Sequence, residues 1–576
     1  MITKTGVLDL GIGSKVFQRC EAVRISGLAG FLILALLLSP SFVSAQDAQV
    51  RHVCPPGFND TPAMVKHLNQ ADIASHKLTF PQIFNFGREI FITNFNKCDG
   101  AGRPGSAAQV GTPGVGTSRI PDPFKGPRFS GLSGPDATSC AACHNDPGVG
   151  GTSDFRGNLV DGAQDCDPVA AVDLTEDLFG LPSSLRPCHK ETPTPTVSNG
   201  FFPTFNERGS LGMFGSGAIE LLGREMTGEL LNLQAKAIVR AQTSGHNVTV
   251  SLQTKGVQFG SLTAHPDGTV DTSNVQGVSP DLVIRPMGRT GNHKSIRRFS
   301  NQALNRHLGI QPDEAVQVFS PNNPDPDQDG VTNELTIGDV TALIIFEAAL
   351  PVPRRAEVKS LAQTAEASRG EALFAKVGCA SCHIPALPLN STVFCEPNAM
   401  NADGTFSDQS QKYCFDLKVT SGLKGNMVPA YTDLKRHTIC DPTRPFDPVT
   451  NHFCSDVAII PGIASTDPTG PGATFIDRPL YYQFLTAKLW DVGDSGPWGH
   501  RNDLDTLYEA IIYHGGEASP AVAAYEALPD SDQLAIVRFL RTLQMPIMDH
   551  NPMPQAERAP KAPNPGAAPD LVFTGP

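Results

Sequence analysis

The sequence has no net positive charge, and it has few long runs of apolar residues. Its 576 residues include 45 Lys and Arg against 58 Asp and Glu, which gives a formal net charge of -13. An acidic surface argues against nucleic acid as a partner and suits transient docking of a small basic protein. Beyond the first 45 residues, no stretch has the roughly 20 apolar residues that a membrane-spanning helix needs.

The only long apolar run, at residues 28–38, is typical of a targeting segment. It is followed by Val43 and Ala45 at the spacing of a signal-peptidase site and preceded by the basic residues Lys4, Lys15, Arg19 and Arg24. This order predicts a signal peptide over residues 1–45 that is cleaved after Ala45, with an uncleaved anchor as the alternative. Its removal takes four basic and two acidic residues, so the mature chain carries about -15. We expect a periplasmic or secreted protein.

The thirteen cysteines divide into three groups. Cys20 belongs to the signal peptide, four cysteines form two CxxCH motifs, and eight remain. An even number in an exported protein suggests disulfides, and short loops are the easiest to close. We therefore predict sequential pairs between residues 54 and 98, 166 and 188, 395 and 414, and 440 and 454, although connectivity cannot be read from sequence alone.

The two CxxCH motifs allow three interpretations. A thioredoxin-type redox pair needs a βαβ context, which neither motif has. A four-cysteine zinc site needs its halves close together, whereas 239 residues separate these motifs. The histidine directly after the second cysteine is the attachment signal for a c-type haem, in which it becomes the proximal ligand. We expect two covalently bound haems, attached through Cys140, Cys143 and His144 and through Cys379, Cys382 and His383.

The flanks of the motifs indicate a duplication. Gly370, Leu373 and Phe374 follow helical spacing before the second motif, and Gly87 and Phe91 match them before the first. Two similar segments, 340–353 and 533–546, read as amphipathic helices that end at proline. We predict a mainly α fold with two cytochrome c-type haem domains in tandem, long loops and a small β-hairpin at 246–270. The expected divisions are 46–353 and 354–550, followed by a disordered Pro/Ala-rich tail at 551–576.

The stretch LWDVGDSGPWGHRNDLDTLYEAIIYHGGEA, Leu489–Ala518, extends this reading. It resembles a block of the bacterial di-haem cytochrome c peroxidase and MauG-like superfamily, most closely in the longer di-haem oxidoreductases, and the resemblance covers roughly residues 80 to 545. The resemblance implies that His514, fourteen positions after His500, is the sixth ligand of the second haem. The alternative is a histidine that caps a helix end.

The resemblance also implies an activity. Electrons would come from a small redox protein, such as a basic cytochrome or cupredoxin, through the bis-histidine haem to the His144 haem, where peroxide is reduced or dioxygen activated. A distal acid is required, and Glu220 and Glu225 are the available carboxylates. Either could instead lie on a helix surface without a catalytic role. The family places a tryptophan between the haems, but Trp490 and Trp498 both lie in the C-terminal half, so Phe201, Phe202 or Phe214 could fill that position.

Three further features have less specific interpretations. Residues 325–334 resemble a calcium loop, with ligands from Asp325, Asp327, Asp329, Val331 and Glu334, although Thr336 replaces the usual twelfth-position glutamate. An Asp-rich turn before a helix is the alternative. His437 suits packing or a haem-propionate contact better than catalysis. The arginines of the segment 285–298 could neutralise propionates or form a solvated face: Arg285, Arg289, Arg297 and Arg298.

Two other classes of function remain open at this stage. A pure electron carrier would saturate both irons with protein ligands and bind no peroxide. An oxygenase or oxidase acting on an organic substrate would need an apolar channel to the first haem.

Overall fold

The computed structural model describes residues 61–101, 137–153, 157–164, 201–289, 291, 293–319, 321–325, 330–356, 360–401, 405–439, 483–499 and 504–546. Its helices are α1 (Gln70–Ala74), α2 (Phe80–Ile92), α3 (Ser216–Ser244), α4 (Ile296–Ala303), α5 (Asp313–Phe319), α6 (Ile337–Ala349), α7 (Leu361–Lys376), α8 (Leu417–Thr420), α9 (Leu507–Ile512), α10 (Ser519–Glu526) and α11 (Asp530–Arg541). Its strands are β1 (Gly157–Gln164), β2 (Phe201–Arg208), β3 (Val248–Thr254), β4 (Val257–Ala264), β5 (Val270–Asp271), β6 (Arg354–Arg355), β7 (Leu387–Pro388), β8 (Val393–Glu396), β9 (Tyr413–Asp416), β10 (Met427–Val428), β11 (Arg436–Thr438), β12 (Gln483–Leu485) and β13 (Leu543–Gln544).

Helices α2 and α6 pack against each other ahead of the first CxxCH motif. Their contact is close at Gly87, where a Cβ atom would lie 2.0 Å from the carbonyl oxygen of Ala342. Phe91 packs against Phe346 with ring centroids 5.2 Å apart and the rings tilted by 56°. Helix α6 is buried around its whole circumference, so the prediction of an amphipathic helix was wrong here. The reason is that α1, α2, α3 and α4 all contact it, and a helix covered on all sides needs no polar face.

Helices α7 and α11 repeat this arrangement next to the second motif. A Cβ atom on Gly370 would lie 1.9 Å from the carbonyl oxygen of Ala535. The rings of Phe374 and Phe539 are 5.5 Å apart. Helix α11 has the predicted amphipathic character, with Ala535, Ile536, Phe539 and Leu540 buried. In each pair, the first helix has a glycine and, four residues later, a phenylalanine at the contact. The second helix has an alanine and, four residues later, a phenylalanine. The same contact in both halves supports the predicted duplication.

The longest described helix, α3, carries the small sheet. It has 29 residues and is flanked by Gly215 and Gly245, both in the left-handed region. Strands β3, β4 and β5 form an antiparallel sheet beside it, and Val248 pairs with Ala264. The predicted hairpin is therefore present. The remaining described sheets each have two strands, which are eight residues long in β1 and β2 and two to four residues long in the others.

Apolar side chains form two clusters. The larger contains most buried side chains from Met64 to Val352, together with later residues such as Phe394, Leu417 and Trp490. The smaller runs from Leu373 to Leu543 and surrounds the α7–α11 contact. The larger cluster thus includes side chains from well beyond residue 353, the predicted end of the first domain.

One predicted disulfide lies within the described residues. Cys395 and Cys414 are bonded and face each other across the antiparallel strands β8 and β9. Cys98 is also disulfide-bonded, and its predicted partner Cys54 lies outside the described residues. The pairs 166–188 and 440–454, the signal segment 1–45, His500 and the tail 551–576 lie outside them as well.

Candidate functional site

Both CxxCH motifs fold into the same tight turn. Cys140–Ala142 and Cys379–Ser381 are short 3-10 helices, in which side chains three residues apart lie one above the other. The small residues between the cysteines fit this turn, which directs each pair of thiols to one side. The histidine that follows bonds back to the turn: the amide nitrogens of His144 and His383 lie 3.0 Å from the carbonyl oxygens of Cys140 and Cys379.

The two imidazoles are held in the same way. Nδ1 of His144 donates to the carbonyl of Gly151 at 3.1 Å, and Nδ1 of His383 donates to that of Tyr431 at 3.0 Å. An Nδ1–H donor leaves the lone pair on Nε2, and this second-shell bond is typical of histidines that bind metal. Burial lowers the pKa of both histidines to about 4, so the rings are neutral. Each ring also lies 6.2 Å from a phenylalanine of the preceding helix, Phe91 or Phe374.

His514 faces His383. It lies just after α9, and its Nδ1 donates to the carbonyl of Ala510 at 2.5 Å. The ring planes of His383 and His514 are inclined at 70° to each other, with centroids 6.5 Å apart. A metal–imidazole bond measures about 2 Å, so two histidines on opposite sides of one iron have ring centres about 6 Å apart. The arrangement fits a bis-histidine haem, and the donor set at both turns fits covalent attachment.

The thiols do not suit the alternative redox chemistry. Cys140, Cys143, Cys379 and Cys382 form no disulfide. Burial raises the pKa of Cys379 to about 11 and that of Cys140 further. A reactive CxxC pair needs a lowered thiol pKa, because the thiolate is the nucleophile. The turns are therefore better suited to attachment than to disulfide exchange.

His437 lies beside the second motif. The ligand atoms of His437, Cys382 and Asp433 lie within 4.8 Å of one another. However, Nε2 of His437 lies 2.9 Å from Asp433 and Nδ1 lies 2.8 Å from Glu517. Burial opposes protonation of His437, but the bonds to Asp433, Cys382 and Glu517 outweigh it and raise the pKa to about 10. An imidazolium with both nitrogens donating is not a metal ligand, which argues against a zinc site here.

The two predicted distal carboxylates have structural partners. Glu220 is fully buried, pairs with Arg224 and accepts the amide of Ile296 at 2.7 Å. Glu225 pairs with Lys255 at 2.6 Å and accepts backbone amides of the loop at residues 390–391. Glu225 therefore anchors that loop to α3. These contacts do not bring either carboxylate to a CxxCH turn.

A carboxyl group that we did not predict lies closer to the first motif. Glu347 on α6 is 2% exposed and accepts a hydrogen bond from Ser300 at 2.6 Å. Burial raises the pKa of Glu347 to about 8. Its charge is among the causes that raise the pKa of the Cys140 thiol, which places it near the first turn. The signal was available in the sequence, because Glu347 is the lone charge in the apolar run LIIFEAAL.

Trp490 reaches the N-terminal half of the chain. It is 2% exposed and belongs to the larger cluster together with Phe214. A Cβ atom on Gly215 would lie 2.3 Å from its ring, so only glycine fits there. Trp490 therefore contacts residues of the N-terminal half, although it lies in the C-terminal half of the sequence. The side chains of Phe201 and Phe202 lie outside the described residues.

The predicted calcium loop is described only in part. Asp327 and Asp329 lie outside the described residues. Asp325 accepts the amide of Gly330 at 3.1 Å, and Val331 is buried. The carboxylate of Glu334 accepts the amide of Gln311 at 2.6 Å. Calcium binding stays a prediction.

The arginines of segment 285–298 do not form a solvated face. Arg285, Arg297 and Arg298 are all at least nine-tenths buried. Arg297 pairs with Glu314 and, at 3.0 Å, with Glu396. The alternative of a surface face is therefore wrong for these three.

Comparisons with known proteins leave the function to be argued from the site. No model of a known protein family matches the chain, and no curated protein matches it. Within the described residues, no helix combines the length and apolarity required to cross a membrane.

Proposed function

We propose that this chain is an exported di-haem c-type oxidoreductase with peroxidase-like chemistry. The observation that carries the proposal is the facing pair of His383 and His514 beside a CxxCH turn that recurs around His144. When bound, the haems would supply electron transfer and the reduction of peroxide or the activation of dioxygen. The cysteines of the two turns would hold them, with His144, His383 and His514 as iron ligands.

The two sites differ, and the difference supports catalysis at the first. Near the second turn, His514 offers a further iron ligand. Near the first, Glu347 offers a carboxyl group with a pKa of about 8, which is protonated at neutral pH. A buried acid of this kind can donate a proton to a substrate oxygen and take one back, as a general acid needs a pKa near the working pH. We assign this role to Glu347 rather than to Glu220 or Glu225.

Backbone hydrogen bonds made by Leu489 and Met213 lie between the two sites. The amide of Leu489 bonds to the carbonyl of Ala430, next to Tyr431, whose own carbonyl accepts from His383. One residue further, Trp490 packs on Gly215. The amide of Met213, close by, bonds to Gly150 next to the carbonyl partner of His144. Trp490 is thus our candidate for the aromatic group that couples the two sites. The electron donor would be a small basic redox protein, attracted by the acidic surface.

The test is the low-temperature EPR spectrum of the oxidised protein, before and after a small dose of hydrogen peroxide. We expect two haems per chain, one low-spin and one high-spin signal, and loss of the high-spin signal with peroxide. In His514→Ala the low-spin signal should change, whereas the exposed control His246→Ala should match the wild type. Two low-spin signals that ignore peroxide, even after partial reduction, would favour an electron carrier. Oxygen uptake with an organic substrate would favour an oxygenase.

A further inference from the structure

A cleft away from both CxxCH turns is lined by two buried arginines. It lies between the segment 277–291 and the strands β11 and β12, it is partly open to solvent, and the space inside it that the centre of a water molecule can reach is about 10 Å³. Its walls include Ser279, Arg285, Gly291, Leu434, Arg436 and Leu485. A space of that size holds about one water molecule, so the cleft suits one small group, such as an oxygen of an anion.

The arginines have more donors than partners. Both are only 7% exposed. Arg285 bonds to both carboxylate oxygens of Asp281, at 3.1 and 2.6 Å, and Arg436 donates from Nη2 to Ser279 at 2.9 Å. Nε of Arg285 and Nη1 of Arg436 are buried and have no hydrogen-bond partner among the described residues. Leaving a buried charged donor unpaired is costly, so such groups usually have a partner.

The charges in the cleft do not balance. Two guanidinium groups face one carboxylate, that of Asp281. Burial and then the charge of Arg285 lower the pKa of Arg436 to about 10, and Asp281 opposes this only in part. Arginine nevertheless stays charged in proteins and binds carboxylate and phosphate groups through its planar fork. One further negative charge would satisfy both the donors and the electrostatics.

We propose that this cleft is an anion-binding site, which takes a carboxylate or a small oxyanion between Arg285 and Arg436. The anion could come from solvent or be a carboxylate arm of a haem, the second source resting on the proposed function. Successive side chains of a strand point to opposite faces, and His437, next to Arg436, lies on the side of Cys382, with Nδ1 4.0 Å from its sulfur. Arg436 therefore faces away from the second turn, which favours a free anion.

The experiment compares the full-length wild type with Arg436→Met and with Arg354→Met, a control at an exposed arginine. Thermal unfolding is measured in chloride, acetate and inorganic phosphate at one ionic strength. We expect acetate or phosphate to raise the Tm of the wild type and of the control by on the order of 2 °C, and not that of Arg436→Met. Arg436→Lys, which keeps the charge and loses the fork, replaces the methionine variant if that variant does not fold.

The second source gives a different result. If a haem carboxylate occupies the cleft, added anions leave the wild type unchanged. Arg436→Met then shifts the reduction potential of one haem and its propionate bands in resonance Raman spectra. The proposal is overturned if anions have no effect and Arg436→Met leaves potentials and propionate bands as in the wild type. A higher Tm of Arg436→Met than of the wild type in every buffer would also overturn the proposal, because a buried charge that binds no ligand only lowers the stability of the folded protein.

Discussion

Replacing Glu347 by Gln tests the assignment of the proton-holding group, and the structure gives the size of the effect. The folded protein raises the pKa of this carboxyl from 4.5 to about 8, chiefly by burial. Between these values the unfolded chain has released the proton and the folded chain keeps it. The folded state therefore binds more protons, and its stability falls as the pH rises through this window. At about 1.4 kcal/mol per pKa unit, the cost is absent below pH 4.5, about 3 kcal/mol at pH 7 and about 5 kcal/mol above pH 8.

Glutamine cannot ionise, and its side-chain oxygen can still accept the hydrogen bond from Ser300. Glu347→Gln should therefore unfold like the wild type at pH 4.5 and be more stable at pH 7 by up to about 3 kcal/mol. Urea unfolding followed by far-UV circular dichroism at pH 4.5, 7 and 8.5 measures this difference, with the exposed Glu526→Gln as control. Peroxide turnover should fall in Glu347→Gln alone, at unchanged haem content. If wild type and variant lose stability in parallel from pH 4.5 to 8, Glu347 is not the buried acid we describe.

Two further predictions concern the packing and the second site. Gly370→Ala should lower stability by about 1–3 kcal/mol, because its Cβ atom would meet the carbonyl of Ala535 at 1.9 Å. Gly228→Ala, whose Cβ atom meets nothing within 4 Å, should instead stabilise by about 0.5–1 kcal/mol; equal thermal unfolding of the two variants would contradict the close helix contact. The raised pKa of His437, about 10 against 6.5 unfolded, gives stability that is complete below pH 6.5 and lost as the pH rises through 10. His437→Gln should flatten that alkaline loss in unfolding curves, and an unchanged slope would show that the Asp433–His437–Glu517 contact contributes little.

The parts of the site that sequence alone could predict are those whose chemistry is local. A CxxCH turn is complete within five residues. The spacing of Gly87 and Phe91 likewise predicts the face of the preceding helix that packs against another helix. The Cys395–Cys414 pair was predictable because a short loop closes easily. His514 came only from a family resemblance, since nothing near it in the sequence points to His383.

Contacts between distant segments could not be predicted. Trp490 packs on Gly215, and Arg436 meets Arg285, through a fold that brings late residues into the larger cluster. Glu347 was missed for a different reason. We read α6 as amphipathic, which gives a charged residue an exposed face, whereas α6 has no exposed face at all. A lone acid in a helix that is apolar on every side is buried, and burial is what changes its pKa.

The duplication explains why one fold can provide two unlike sites. In the first half, Ala342 and Phe346 of α6 contact the glycine and phenylalanine of α2. In the second half, Ala535 and Phe539 of α11 make the equivalent contact with α7. The next residue is Glu347 in the first half and Leu540 in the second, and both are buried. The shared contacts fix the helices, so a single side chain can differ without disturbing the packing. A carboxyl group near the first turn and an aliphatic group at the equivalent place in the second half are what we expect if one site moves protons and the other only electrons.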